Sequence, residues 1–192
     1  AVSSTVYTAV FTPTTNSTVN GEISVTGDKF TDAAGNDNTS GSLTLDIDTL
    51  VPTITITTSD SELKAGETAT ITFTLSEPST DFAVNDIDVS GGSIGDLTAV
   101  SSTVYTAVFT PLSSSTDDGV ITVTGDKFTD EAGNDNTSGS LTLDIDTLVP
   151  TITITASESE LKAGETATIT FTLSEASTDF IRNDITVSGG SL

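Results

Sequence analysis

The side chains of this sequence that could do chemistry are almost all carboxylates. There are 28 Asp and Glu residues against 5 Lys and Arg, and the formal net charge is -23. His, Cys, Met and Trp do not occur. Without imidazole or thiolate, a Ser-His-Asp or Cys-His catalytic site cannot be built. The chemistry that remains is the binding of cations through hard oxygen ligands.

The charge also limits the partners of the chain. Nucleic acid and anionic lipid repel an acidic protein, because binding to either depends on Lys and Arg. The sequence contains no apolar run of about 18 residues and no charged-then-apolar leader. We therefore expect no nucleic-acid partner, no direct membrane insertion and no export signal within this segment.

An internal repeat with a period of 98 residues organises the chain. Residues 1–50 return as 99–148 with 42 identities, and residues 51–94 return as 149–192 with 37 identities. We expect three units: 1–50 is the C-terminal half of a repeat with strands E to G, 51–148 is a complete repeat, and 149–192 is an N-terminal half with strands A to C. Near-identical tandem copies indicate a longer array.

Alternating apolar and polar residues predict short strands in the complete repeat, and the abundance of Thr favours strands over helices. The predicted strands A to G cover 53–57, 68–75, 87–89, 97–100, 104–109, 120–123 and 141–145. Seven short strands joined by turn residues are typical of an immunoglobulin-like sandwich. The predicted fold class is therefore all-β, with tandem immunoglobulin-like sandwiches.

Acidic residues concentrate at one predicted pole of the sandwich. Because seven strands alternate in direction, the BC loop (76–86) and the FG loop (125–138) share the pole where strand A enters, and they face the tail of the preceding repeat (45–52). The candidate metal ligands among the acidic residues of the tail, the BC loop and the FG loop are Asp46, Asp48, Glu77, Asp81, Asp126, Asp130 and Asp135.

Carboxylates at such a pole repel each other unless a cation binds there. Two of them about 5 Å apart repel by roughly 3 kcal/mol at an effective dielectric of about 20. Calcium accepts a flexible shell of oxygen ligands, whereas magnesium demands tight octahedral geometry. The pattern favours a calcium site, and the alternative is that Asp, Asn and Gly simply form turns.

Two motifs resemble a known family. Asp130-Glu131-Ala132-Gly133-Asn134 and the run from Asp144 to Pro150 are similar to the Asp-x-Ala-Gly-Asn and Val-Asp-Thr-x-x-Pro signatures of bacterial Ig-like repeats. Over its full length the chain resembles the extender region of large RTX adhesins of the biofilm and ice-adhesin type, which are surface proteins of Gram-negative bacteria. The resemblance implies rigid calcium-bound sandwiches at the bacterial cell surface, with several Ca2+ per repeat and ions at the domain junctions.

The resemblance also implies particular ligands. It assigns metal binding to Asp46, Asp48, Glu77, Asp126 and Asp130, and at the second junction to Asp144, Asp146 and Glu175. We add Asp28 and Asp32, which match Asp126 and Asp130 in the first copy, to the candidate ligands.

We predict a calcium-rigidified structural spacer that projects a distal ligand-binding region of an adhesin away from the cell. Without calcium, the carboxylates at each junction push neighbouring repeats apart; with calcium, a shared ion locks the linker. Extracellular calcium is millimolar, which matches the affinity of extracellular calcium modules, about 10⁻⁴ to 10⁻³ M.

Two other functions compete with this prediction. The row Thr53, Thr55 and Thr57 has the form of an ice-binding or glycan-binding strand face, or of an ordinary solvent face. Paired carboxylates such as Asp117 and Asp118 could act in glycoside hydrolysis, which needs two carboxyls across a cleft. A small sandwich offers no such cleft, so we predict that the chain is not an enzyme.

The two half repeats pose a packing problem, because each exposes a core face that it cannot bury alone. The central repeat keeps these faces at opposite poles. We predict that residues 149–192 of one molecule complete residues 1–50 of the next, in a head-to-tail filament.

Overall fold

The computed structural model describes residues 2–192, which are built from short β-strands. In chain order the strands are β1 (Gly21–Val25), β2 (Gly41–Leu45), β3 (Ile54–Thr58), β4 (Glu62–Lys64), β5 (Ala69–Leu75), β6 (Asp88–Ser90), β7 (Gly92–Ile94), β8 (Thr98–Ala99), β9 (Val104–Pro111), β10 (Gly119–Val123), β11 (Gly139–Asp146), β12 (Ile152–Ala156) and β13 (Ile169–Leu173). Two single turns of 3-10 helix, Val84–Asp86 and Arg182–Asp184, are the helical elements of the described residues.

The central repeat is a sandwich of two sheets. One sheet has the order β3-β5-β9-β7, with β8 pairing β9, and the other has the order β4-β11-β10-β6. Neighbouring strands are antiparallel, apart from the parallel pair β4 and β11. These are the two sheets of an immunoglobulin-like sandwich. The predicted fold class is therefore confirmed.

The core follows directly from the period-two pattern of the strands. Successive side chains of a strand point to opposite faces, so every second residue enters the space between the sheets. In β5 these are Ala69, Ile71, Phe73 and Leu75, all buried. The other sheet contributes Ile121, Val123, Leu143 and Ile145, and the FG loop adds Phe128.

Two strands of the central repeat were not predicted. β4 contains a single apolar residue, Leu63, so it shows no alternation, and it pairs in parallel with β11, far along the chain. β7 pairs β9 with Gly92 at its start, where a β-carbon would lie 2.4 Å from the Phe109 ring. Periodicity does not detect strands as short as these.

The flanking halves form fewer strands than expected. Residues 2–50 contribute the hairpin of β1 and β2, and residues 149–192 contribute the hairpin of β12 and β13. The segment of 2–50 that matches β9 is not a strand, because β9 is held by β5 and residues 2–50 have no counterpart of β5. The segment that matches β6 likewise lacks its β10 partner and is not a strand in 149–192.

Across residues 2–192, no helix has the length and apolarity required to cross a membrane.

Candidate metal centre

The FG loop of the central repeat, residues 125–138, is shaped by one buried side chain. The Asn136 carboxamide oxygen accepts hydrogen bonds from the backbone amides of Lys127 (2.8 Å) and Phe128 (2.9 Å). Its amide nitrogen donates to the carbonyls of Thr124 (3.0 Å) and Thr137 (2.7 Å). With all four hydrogen bonds made, the Asn136 side chain holds the loop closed and is not free to bind a metal.

The FG loop turns through two residues with left-handed backbone. Asp126 has φ 62° and Gly133 has φ 90°. Gly133 allows the turn that brings the amide of Asn134 onto the Asp130 carboxylate, 2.9 Å away. The loop therefore presents Asp130 in a fixed position.

The BC loop, residues 76–86, rests on the core through Phe82. The Phe82 ring packs edge-on against Tyr105 and Phe128, with ring centroids 5.2 Å apart in both pairs. The Tyr105 hydroxyl donates to the carbonyl of Ser79, 3.2 Å away. This anchoring fixes the loop that carries Glu77.

Asp81 joins the BC loop to the FG loop. Its carboxylate accepts hydrogen bonds from the Thr129 amide (3.0 Å), the Thr129 hydroxyl (3.0 Å) and the Ser79 hydroxyl (2.6 Å). Burial acts to raise the pKa of Asp81, but these hydrogen bonds outweigh it and hold the pKa below its ordinary value. Asp81 therefore acts as a bridge between loops.

The linker from the preceding repeat is bound to the FG loop by its backbone. The Asn134 side-chain amide donates to the Asp48 carbonyl (3.3 Å), and the Thr137 amide donates to the carbonyl of the buried Pro52 (2.9 Å). These contacts place Asp48 directly above the pole of the central repeat.

Three carboxylates from three separate segments of the chain meet at this point. One oxygen each from Asp48, Glu77 and Asp130 lies within 4.8 Å of the others. Asp48 comes from the linker, Glu77 from the BC loop and Asp130 from the FG loop. The prediction that these three segments share a pole is thereby confirmed.

Glu77 is the most constrained member of this carboxylate cluster. Its Oε1 atom is buried and has no hydrogen-bond partner among the described residues. Burial raises the pKa of Glu77, and the charges of Asp48 and Asp130 raise it further. A buried carboxylate oxygen without a donor is costly, and a cation beside it would remove that cost.

Asp130 shares the cluster but is stabilised as an anion. Burial acts to raise its pKa, while the side chain and amide of Asn134 and the amides of Gly133 and Ala132 lower it, so the net pKa lies below its ordinary value. The cluster thus combines the ionised Asp130 carboxylate with the unpartnered Glu77 carboxylate, and all of its potential ligand atoms are hard oxygens. This donor set fits a divalent cation such as calcium and does not suit metals that prefer nitrogen or sulfur.

The other predicted ligands of this junction lie outside the cluster. Asp46 accepts a hydrogen bond from the Asn20 side chain (2.9 Å), Asp126 is exposed, and Asp135 forms an isolated β-bridge with Thr129. In the first copy, Asp28 repeats the left-handed backbone of Asp126 with φ 62°, and the Asp32 carboxylate is held by Asn36. These hydrogen bonds lower the pKa of Asp32, most strongly that from the Asn36 side chain.

The second junction carries two of the three carboxylates. Glu175 matches Glu77, and its Oε1 atom is also buried without a partner among residues 2–192. Asp146 matches Asp48, and its carboxylate accepts the Leu148 amide at 3.1 Å, as Asp48 accepts the Leu50 amide. Asp144 matches Asp46 and lies exposed on β11, opposite Glu62.

Sequence reasoning did not identify the two roles of asparagine in the FG loop. Asn134 connects the linker to Asp130, and Asn136 closes the loop. Both lie in the Asn-Asp-Asn run at 134–136, where turn propensity alone explains them. Their side-chain directions depend on folding of the loop, which the local sequence does not reveal.

The fold and the cluster define a class of protein: tandem β-sandwich modules whose junctions are lined with carboxylates. A family model described as "Bacterial Ig-like domain" matches residues 1–47, 48–145 and 146–192, and the chain belongs to this family. Such domains are structural or adhesion-type modules, generally non-enzymatic and typically extracellular or surface-exposed. Comparison with curated proteins gave no significant match.

Proposed function

We propose that this chain is a calcium-rigidified spacer of a bacterial surface adhesin, which holds a distal ligand-binding region away from the cell. One observation carries the proposal: the carboxylates of Asp48, Glu77 and Asp130 converge within 4.8 Å, although Asp48 precedes β3, the first strand of the central sandwich. The nearest partners are thus neighbouring repeats of the same adhesin.

Charge explains why a cation at this point would control stiffness. Three carboxylates this close repel one another, and the repulsion falls if the linker moves Asp48 away from the central repeat. Calcium, when bound, would supply the positive charge that makes the compact arrangement favourable. Asp48, Glu77 and Asp130 would hold it, so the ion would tie two repeats together.

The linker leaves little freedom for any other motion. On the side of the first repeat, the Thr49 hydroxyl donates to the Thr14 carbonyl, 2.6 Å away. On the side of the central repeat, the Asp48 and Pro52 carbonyls are bound to the FG loop. Leu50 and Val51 lie between Thr49 and Pro52, and we place the calcium-sensitive bend there; bending would release the Asp48 carbonyl from Asn134.

Thermal unfolding with calcium and with a chelator tests the proposal. At a calcium concentration ten times the dissociation constant, one site stabilises the folded state by about 1.4 kcal/mol. For a domain of about 100 residues this raises Tm by roughly 6–10 °C. Small-angle scattering in the same two buffers reports whether the molecule also becomes stiffer. Equal Tm and equal scattering in both buffers would contradict the proposal.

Two variants locate the effect. Glu77→Gln removes a carboxylate from the cluster while keeping its shape, and we expect it to lose most of the calcium response. Asp88→Thr is the control, because it also removes one negative charge and Thr186 occupies the matching position of the second copy. A calcium response that Glu77→Gln retains in full would place the binding elsewhere. Magnesium at the same concentration should give a smaller shift.

One observation favours a second candidate function, a ligand-binding adhesion module. Threonines align across four strands, β3, β5, β9 and β8, of one sheet of the central sandwich. Thr57 pairs Thr72, Thr72 pairs Thr106, and Thr106 pairs Thr98. Thr55 and Thr74 form a shorter row beside them. A regular hydroxyl array of this kind could match ice or a glycan.

Retention on ice or on immobilised glycans tests this second function. The chain should be retained, Thr72→Lys should abolish retention, and Thr142→Lys on the opposite sheet should not. Passage of the unmodified chain without retention would leave this sheet as a solvent-facing surface.

A further inference from the structure

A single hydrogen bond crosses the linker bend at residues 50–51. Among residues 2–192, only the bond from the Asn134 side-chain amide to the Asp48 carbonyl, 3.3 Å long, joins a residue before the bend to a residue after it. The ion pair and the strand pairings of the same residues each lie on one side of the bend. Hydrogen bonding between the two sides therefore depends on one side chain.

The Asn134 side chain also holds a carboxylate of the cluster. Its amide nitrogen donates to Oδ2 of Asp130 (2.9 Å), and the Asn134 backbone amide donates to Oδ1 of Asp130 (2.9 Å). A carboxamide has two N–H bonds, and here one is directed at the Asp48 carbonyl and the other at Asp130. One amide group thus bridges the linker backbone and the cluster.

The FG loop itself orients this side chain. In the first copy, Asn36 makes the same two hydrogen bonds to Asp32, at 2.9 Å from its backbone amide and 2.8 Å from its side chain. Both copies place a glycine with left-handed backbone, Gly35 or Gly133, just before the asparagine. The donor that meets the linker is therefore positioned by its own loop.

The Asp48 residue is held at its carbonyl and at its carboxylate. The carbonyl accepts the bond from Asn134, and one carboxylate oxygen accepts the backbone amide of Leu50 (3.1 Å). The second bond fixes the side chain relative to its own backbone. Holding the carbonyl therefore also holds the carboxylate beside those of Glu77 and Asp130.

We propose that Asn134 is the positioning residue of the cation site. It holds the linker in a docked state, with Asp48 in the cluster, before an ion binds, and it thereby sets how tightly the ion is bound. The effect on ion binding rests on the proposed function, whereas the holding of the linker does not.

The docked fraction links the two effects. A cation that binds only the docked state has an apparent dissociation constant equal to the intrinsic constant divided by the docked fraction. Loss of the Asn134 side chain lowers this fraction, so more calcium is needed to reach the same occupancy. Partners that orient metal ligands typically change metal affinity by about 10–100-fold, and we expect a loss of about tenfold.

Distances between two spin labels test the holding of the linker. The chain has no cysteine, so Thr44→Cys and Thr74→Cys, at exposed positions of β2 and β5 on either side of the bend, give unique labelling sites. Double electron–electron resonance then measures the distribution of distances in the full chain. In chelator, Asn134→Ala should broaden this distribution relative to the parent.

Two further variants make this result specific. Asn134→Asp keeps the volume but replaces the donor by an acceptor, so it should also broaden the distribution in chelator. Asn36→Ala removes the matching side chain of the first copy and should leave the distribution unchanged. Asn136 closes the FG loop through its own four hydrogen bonds, so both Asn134 variants should keep the circular dichroism of the parent.

A calcium titration tests the effect on ion binding. By isothermal titration calorimetry, Asn134→Ala should raise the dissociation constant about tenfold. A double-mutant cycle with Asp48→Asn distinguishes positioning of Asp48 from general loosening of the loop. Once Asp48→Asn has removed that ligand, Asn134→Ala should change the dissociation constant by no more than about twofold.

The outcomes separate this inference from the proposed function. Equal distributions for the parent and both Asn134 variants in chelator would overturn the holding of the linker. A tenfold loss of affinity that persists in full with Asp48→Asn would refute action through Asp48. A parent that binds no calcium would refute the proposed function, and broadening by Asn134→Ala in chelator would still support the holding of the linker.

Discussion

Glu77 and Asp130 share one cluster, but their surroundings move their pKa values in opposite directions. Burial and two neighbouring charges raise the pKa of Glu77, while hydrogen bonds to Asn134 outweigh burial at Asp130. The folded state therefore resists ionisation of Glu77 and favours ionisation of Asp130.

At the residue scale, the raised pKa of Glu77 predicts an unusual pH dependence without calcium. Between its ordinary value of 4.5 and its raised value, the folded state binds more protons than the unfolded state, so stability falls as pH rises through this window. In chelator, lowering the pH from 7 towards 5 should stabilise the parent relative to Glu77→Gln, as measured by urea unfolding.

With calcium bound, we expect stability to rise with pH instead, because protonation of Glu77 removes a ligand of the ion. A parent and a Glu77→Gln variant whose free energies of unfolding stay parallel across pH in chelator would show that Glu77 is not under this penalty.

The buried Asn136 predicts a stability effect at a single side chain. Asn136→Ala leaves backbone donors and acceptors of the FG loop without partners, and we expect a loss of about 2–3 kcal/mol in the unfolding free energy of the central repeat. Asn38 makes the same four kinds of hydrogen bond in the first copy, outside a closed sandwich. Asn38→Ala is therefore the control and should change that free energy by less than about 0.5 kcal/mol.

The sequence predicted which side chains could bind a metal more completely than it predicted which of them meet. All three members of the cluster were among the predicted ligands. Asp81 was among them as well, yet it is engaged by Thr129, and Asp46 is engaged by Asn20. Composition and spacing locate acidic loops, but the fold decides which carboxylates converge, since Asp130 also accepts hydrogen bonds from Asn134 and still belongs to the cluster.

At the scale of elements, one threonine ties the C-terminal end of each repeat to its own EF loop, which in the central repeat is residues 112–118 between β9 and β10. The Thr147 hydroxyl donates to the Leu112 carbonyl (2.6 Å) and accepts the Ser115 amide (3.0 Å), and Thr147 is buried. The motif that suggested a linker therefore contains an anchor at Thr147, and only the part of the linker after Thr147 is free of the central repeat's own EF loop.

Replacing this anchor tests its contribution. Thr147→Val keeps the volume but loses the hydrogen bonds, and we expect the central repeat to lose about 1–2 kcal/mol, measured by chemical unfolding. Thr49→Val changes the matching anchor of the first copy, which contacts residues 14–17, and should leave the central repeat nearly unchanged. Equal losses of unfolding free energy of the central repeat in the two variants would contradict the view that each threonine anchors only its own repeat.

Strands with clear alternation were predictable, and strands held only by distant partners were not. β5 buries every second residue, so its pattern is visible in the sequence alone. β4 depends on β11, about 80 residues later, and its one buried residue gives no periodic signal. The segment before β1 shows the converse, because its sequence matches β9 but its partner strand is missing.

At the scale of the whole molecule, the net charge of -23 predicts a strong salt effect. In chelator, raising NaCl from about 0.01 M to about 1 M shortens the Debye length from about 30 Å to about 3 Å and weakens the repulsion between carboxylates. We expect Tm to rise by several degrees in a salt titration. The same titration in calcium should give a smaller rise, and an equal rise would indicate that calcium does not relieve this repulsion.

The parallel pair of β4 and β11 determines how a repeat responds to tension. The chain enters at the start of β3, just before β4, and leaves at the end of β11, at the opposite pole. A pull on the two ends therefore slides β4 and β11 past each other, and their pairings, Glu62 with Asp144, Leu63 with Ile145 and Lys64 with Asp146, bear the load together. In the spacer function proposed above, flowing water that drags an attached cell would load each module in this shearing direction.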